Sequence, residues 1–155
     1  MMARWHESIF PVCEELNVAF VAFSPMANGF LTGNYVPGVK FETGTDYRSA
    51  MPQYTEEGYE RSRELLENAD IQAMAQKYSK NAGQIILRFE VQEGIVVLPK
   101  STNPVRVAGN IDLFDFELTV EEMNTIRALD TGKGSHDPDA PGVGEMLLSA
   151  YKVHD

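Results

Sequence analysis

Two short apolar runs punctuate the chain, Val18-Ala19-Phe20-Val21-Ala22-Phe23 and Ile95-Val96-Val97-Leu98. Neither alternates with polar residues, both are rich in β-branched or aromatic side chains, and each is stopped by a proline, Pro25 or Pro99. Continuous apolarity over so few residues predicts parallel strands covered on both faces, and a proline halts each ladder because it has no N–H to donate.

Between and around these runs the apolar residues recur at helical spacing. Trp5, Ile9, Val12, Cys13 and Leu16 predict a short helix ending near Asn17, with Ser8 as its cap and Pro11 tolerated in its first turn. Gly29, Gly33, Pro37, Gly38, Gly44 and Pro52 fill a long aperiodic stretch, and a loop of that length inside a compact domain is usually functional or mobile. From Glu56 to Lys80 the chain turns charged and helical, with Leu65, Leu66, Ile71, Met74, Ala75 and Tyr78 as its inward positions and a break near Asn68. Glu56, Glu57, Glu60, Glu64 and Glu67, interleaved with Arg61 and Arg63, form its solvent side. Asn81 caps the next helix, whose Ile85, Ile86, Phe89 and Val91 point inward before Gly94 ends it. After the second strand, Asn103 and Pro104 read as N-cap and first helical residue. Thr119 and Glu122 stand at capping-box spacing ahead of Met123, Ile126 and Leu129, so a last helix runs to about Asp130. Gly132 and Gly134 open a polar tail over 131–155, in which Met146, Leu147 and Tyr151 outline a short amphipathic helix.

Strand, loop, helices, strand, helix, helix is the order of βα units, so the fold class is α/β with a parallel sheet and outer helices, in a single domain over 1–155. Two strands leave both edges of such a sheet without partners, and the chain is expected to self-associate or to pair with another polypeptide.

Charge removes several function classes. Thirteen Lys and Arg against 23 Asp and Glu leave a net charge of -10, which repels nucleic acid and anionic membranes alike. Cys13 is the single cysteine and cannot close an internal disulfide. No stretch has the apolarity of a signal peptide or membrane span, and the expected compartment is the cytoplasm. His6, His136 and His154 are scattered, so no metal site is expected, and Cys13 has no cationic neighbour in sequence to make it a nucleophile.

The chemistry concentrates after the second strand. Lys100 brings a cation, Ser101 and Thr102 two hydroxyls, and the helix opening at Asn103 aims free N–H groups and its positive dipole end back at them. Arg106, early in that helix, adds a guanidinium suited to phosphate oxygens. Such parts build an anion site.

The segment V-V-L-P-K-S-T-N-P-V-R-V-A-G-N-I resembles the cofactor-binding signature of the aldo-keto reductases, and F-D-F-E-L-T-V-E-E-M-N-T-I continues that pattern. Upstream, V-A-F-V-A-F-S-P-M-A-N-G-F-L-T-G is similar to the family's other late signature, and the likeness runs from about Trp5 to Asp130. The resemblance implies the C-terminal part of a (β/α)8 TIM barrel, its last two parallel strands with outer helices, since a complete barrel takes ~250 residues. It implies NADP(H) as cofactor, with Lys100, Ser101, Thr102 and Arg106 at the 2′-phosphate and Asn110 at the adenine edge. Gly109 stands where the family commonly has Glu, so one adenine contact is lost and weaker affinity is expected. Ser24, Pro25 and the Met26 backbone fall at the pyrophosphate, Leu31 beside it, and Phe23 where an aromatic stacks on nicotinamide, unless Phe23 is simply core. Asn28 reads either as a phosphate contact or as turn chemistry.

By the same resemblance the catalytic Asp, Tyr, Lys and His belong to the half this chain does not match. No catalytic residue is therefore assigned, and none of Tyr35, Tyr47, Tyr54, Tyr59, Tyr78 or Tyr151 stands in the family's catalytic context. The expectation is an NADP-dependent oxidoreductase by family, truncated, inactive alone, and able to reduce an aldehyde or ketone only if the missing half is supplied. The alternative is a non-catalytic module for NADP binding or assembly.

Overall fold

A computed structural model of the chain describes residues 9–22, 24–32, 35, 38–42, 45–51 and 54–130. Trp5, Ser8, Phe23 and the tail 131–155 lie outside the described residues.

Helix α1 spans Phe10–Glu15 with Pro11 in its first turn, and its N-cap is Ile9, which makes no side-chain capping bond. The cap expected at Ser8 falls on a residue outside the described ones, and the first described flanking position is Ile9. The helix ends where Asn17 turns left-handed at φ 50 and the Val18 N–H returns to the Cys13 carbonyl. Its apolar residues were expected inside, yet Ile9, Val12 and Leu16 are exposed and Cys13 is only half-buried.

Strand β1 is Val21–Ala22 and β2 is Val96–Val97, both shorter than their apolar runs. They pair in parallel, Val21 opposite Val96 and Ala22 opposite Val97, as a two-stranded sheet. The prediction of a parallel pair holds, but burial on both faces does not. Ala22 and Ile95 are buried and Val97 half-buried on the helix side, whereas Val21, Val96 and Leu98 are exposed.

The long stretch after β1 contains two 3-10 segments, Ala27–Thr32 and Tyr47–Ala50. Helix α2 (Glu56–Leu66) is capped by Thr55, and its Glu56, Glu57, Glu60 and Glu64 are exposed as expected, as is Glu67 beyond its end. The break at Asn68 is real, because its side chain accepts from the N–H groups of Asp70 and Ile71 and so starts α3 (Ala69–Tyr78). Helix α4 (Ala82–Gln92) opens with an Asn81/Gln84 capping box and ends before Gly94, whose φ of 79 only glycine adopts without strain. Helices α5 (Pro104–Ile111) and α6 (Val120–Ala128) start at their anticipated caps, Asn103 and Thr119.

Helix α4 is the hub. One side places Ile85 and Phe89 with Ile71 and Met74 of α3, Leu118, and Met123 and Ile126 of α6. The other places Ile86 and Leu87 with Met26, Phe30, Leu31, Tyr54 and Leu113. Each such side chain contributes about 1.5–3 kcal/mol of burial free energy. These contacts fix α4 against the sheet and so hold the carboxyl ends of β1 and β2 side by side. Among the described residues no helix is long and apolar enough to cross a membrane.

Candidate phosphate-binding edge

In the parallel register Ala22 faces Val97, so the turn at Ser24 and the segment from Pro99 leave the sheet from the same carboxyl edge. Two groups of residues predicted from separate motifs therefore share one rim.

The first group sits in a strained turn. Ser24, Ala27 and Asn28 have φ of 52, 47 and 57, and Gly29 follows at 96. Each non-glycine residue in that region costs roughly 1–2 kcal/mol. Hydrogen bonds hold it: Ala27 N–H to the Ser24 carbonyl at 2.9 Å, Gly29 N–H to the Met26 carbonyl at 2.8 Å, and the Tyr54 phenol to the Asn28 carbonyl at 2.9 Å. The Ser24 hydroxyl donates to Asn28 Oδ1 at 2.9 Å, and Asn28 Nδ2 donates to Met51 Sδ at 3.3 Å. Pro25, Met26 and Leu31 are buried, so their side chains pack the core and only backbone there can face the rim.

The second group is organised around Ser101. Its Oγ accepts from the Asn103 N–H at 3.1 Å and from Arg106 Nε at 3.3 Å, which draws the half-buried Arg106 back over the strand end. Lys100 and Thr102 are exposed. The helix start does not offer the free N–H groups expected of it. Pro104 has none, Asn103 Oδ1 already accepts from Val105 and Arg106, and the Val107 N–H reaches the Asn103 carbonyl. The side chains of Lys100, Ser101, Thr102 and Arg106 can supply donors in their place, Ser101 because its Oγ only accepts in these two bonds and keeps its own proton. Asn110 donates one amide hydrogen of Nδ2 to the Pro99 carbonyl at 3.2 Å, which orients the side chain and leaves Oδ1 and the second hydrogen for a base edge.

The loop between β1 and α2 approaches the same rim. Arg48 is clasped by Asp46, donates to the Tyr35 phenol at 2.7 Å and stacks 4.4 Å from the Phe41 ring centre. The hydrogen bonds from Arg48 hold the Asp46 carboxyl below its ordinary range, with a smaller pull from Lys100. Sequence reading missed this pairing, since only the Asp-x-Arg spacing hints at it.

Elsewhere, Lys77 and Tyr78 both bond Glu122, and Lys80 spans Asp112 and Asp115, ties between helices remote from the rim. Grooves occur between α1 and the α4–β2 turn and above the start of α4, and neither is lined by Ser24, Lys100, Ser101 or Arg106. No group of three His, Cys, Asp or Glu among the described residues is placed to hold a metal.

A parallel βα unit with a cationic rim at its carboxyl edge is the class of site that α/β proteins use for phosphorylated ligands. The family model described as "Aldo/keto reductase family" matches residues 1–131, and the chain belongs to that family. Among its relatives, aldo-keto reductase AKR2E4 of Bombyx mori is 37% identical over 121 residues, covering 77% of this chain and 31% of the relative. Aldo-keto reductase family 1 member D1 of Oryctolagus cuniculus is 52% identical over 65 residues, 42% of this chain and 20% of the relative. The solved Bombyx mori AKR2E4 structure in complex with NADP superposes with a TM-score of 0.56 at 31% identity, covering 84% of this chain and 35% of that one. MGS-M4, an aldo-keto reductase from a deep-sea metagenome library, gives 0.57 at 26% identity over 85% and 37% of the two chains. The chain thus spans between a fifth and a third of the length of the two relatives matched by sequence.

Proposed function

We propose that this chain is the cofactor-binding C-terminal portion of an NADP(H)-dependent aldo-keto reductase, supplying two strands and outer helices of a (β/α)8 barrel. The observation that carries the reading is the convergence of Arg106 on Ser101 beside Lys100, at the edge where Ser24 also lies. Two cations and two hydroxyls there match a dianion such as a 2′-phosphate, and this favours NADP over NAD. On this reading Ser24, with the backbone at Pro25, Met26 and Leu31, serves the pyrophosphate and Asn110 the adenine, while the nicotinamide role that the family resemblance gives Phe23 falls on a residue outside the described ones. The AKR2E4 structure in complex with NADP supports the choice of cofactor.

The chemistry such a cofactor supplies is hydride transfer to an aldehyde or ketone carbonyl. This chain's own part is to bind and orient it. No tyrosine described at the rim is paired as a proton donor: Tyr35 and Tyr54 bond Arg48 and Asn28, and Tyr78 bonds Glu122 on the far side. On this reading the chain alone is truncated in function and inactive toward carbonyls. It forms one domain with 131–155 as a tail, works in the cytoplasm, and self-associates through its uncovered sheet.

The test is a fluorescence titration with NADPH, NADH as control, repeated on Arg106→Leu. Saturable binding that prefers NADPH and weakens at least tenfold in the variant is expected, from the loss of a charge-assisted phosphate contact worth about 1.5–3 kcal/mol. Equal binding of both nucleotides, or none, overturns the reading.

A further inference from the structure

The hydrogen-bond direction around Asn28 is fixed by chemistry. A thioether sulfur carries no hydrogen and can only accept, so the Asn28 group facing Met51 Sδ at 3.3 Å is the NH2. Its carbonyl oxygen then faces Ser24, and the Ser24 hydroxyl must be the donor in the 2.9 Å contact between them. The proton of Ser24 is therefore turned inward, and what the hydroxyl offers to the rim is lone pairs. Phosphate oxygens are acceptors and cannot bond to lone pairs.

We propose that Asn28 is a positioning residue that holds the Ser24 hydroxyl proton away from the rim until an incoming phosphate takes it. This rests on the reading of Ser24 as a phosphate contact and adds how that contact is set. The exchange moves one hydrogen bond, from Asn28 Oδ1 to a phosphate oxygen, and no covalent bond changes. Asn28 is well placed to wait without its partner. The Tyr54 phenol holds its backbone carbonyl at 2.9 Å and Met51 accepts from its side-chain NH2 at 3.3 Å, so main chain and side chain each keep a tie when Ser24 rotates away. The cost of that exchange is subtracted from the affinity that Lys100 and Arg106 supply. Its left-handed backbone, at φ 57 and ψ 27, also makes glycine the replacement that deletes the side chain without adding strain.

The experiment follows the Asn28 side-chain amide by 15N NMR in the full chain, assigned by its disappearance in Asn28→Gly, while NADPH is added. Ser24→Ala supplies the reference position for an amide that Ser24 no longer bonds. The expected result is that NADPH moves the wild-type amide signal toward that reference, and that Asn28→Gly binds NADPH about three- to tenfold more tightly, because no bond has to be given up. Asn28→Asp, which keeps the acceptor and adds a negative charge beside the phosphate, is expected to bind more weakly than wild type. If NADPH binds but the amide stays in place, or Asn28→Gly binds more weakly, the proposal fails and the cofactor reading stands. If NADPH does not bind to wild type or Asn28→Gly, both fail.

Discussion

Val21 stands directly opposite Val96 across the two-stranded ladder, and both are open to solvent, 53% and 42% exposed. With Leu98 at 65%, they form an apolar strip on the face of the sheet that no described element covers. Burying such side chains is worth about 1.5–3 kcal/mol each, so the strip favours contact with another surface. Val96→Lys places a charge there without touching the helix-facing side. Sedimentation is expected to show wild type heavier than its 17.3 kDa monomer and the variant shifted toward it, with the helical circular dichroism unchanged. A wild type that sediments as monomer at micromolar concentration sinks the self-association.

Gly83 marks where the strained turn is pressed against α4. A Cβ there would stand 3.0 Å from Met26 Cε and 3.2 Å from the Leu31 carbonyl oxygen. The methyl end can swing away, but the carbonyl belongs to backbone and cannot without moving the turn. Overpacking of this kind costs about 1–3 kcal/mol, against at most ~1 kcal/mol gained from alanine's helix propensity. Gly83→Ala is therefore expected to lower stability in urea denaturation by about 1–2 kcal/mol. A variant as stable as wild type would show that the turn gives way freely.

The helices were legible in the sequence because their signals are local. Asn81, Asn103 and Thr119 are caps whose partners lie two or three residues on, and all three act as read, while Asn68, read only as a break, proves to be the cap of α3. The strands were legible as apolar runs but not in extent, because length and burial depend on what lies across the sheet. Val18 and Leu98 belong to the apolar runs and fall outside the paired residues. At the rim, Lys100 and Arg106 were visible as a motif, while the use of the α5 N–H groups by Asn103 was not, since a cap that serves a helix well removes the donors an anion needs. Glu90 gave no signal at all: in sequence it is one more glutamate on a helix.

Gln84 joins the start of α4 to the end of α5. Its Oε1 accepts from the Asn81 backbone N–H and side chain at 3.1 and 2.9 Å, and its Nε2 donates to the Gly109 and Asp112 carbonyls, both at 3.1 Å. The side chain is buried, so Gln84→Leu would leave those groups without their partner, at about 1–3 kcal/mol, whereas Asn81→Ala loses chiefly a cap worth ~1 kcal/mol. The expected order in thermal denaturation is wild type, then Asn81→Ala, then Gln84→Leu. Finding Gln84→Leu the milder change would mean that water replaces its bonds at α5.

Glu90 is buried on α4, its Oε2 has no hydrogen-bond partner, and burial pushes its carboxyl up to about 7. Desolvation penalises the charged form, so the folded chain keeps the proton over a range where an unfolded glutamate, near 4.5, has lost it. The sign follows. Where the folded state binds more protons, stability falls as pH rises, so this contribution is complete below about 4.5 and is lost progressively up to about 7. Ionising the carboxyl in place of an unfolded one costs on the order of 3 kcal/mol over that interval. Glu90→Gln keeps the shape and cannot ionise, and its urea midpoint is expected to stay level between pH 5 and about 8 while that of wild type declines. Parallel curves for the two proteins would show that Glu90 finds a partner or water on ionising, and that its burial is not felt.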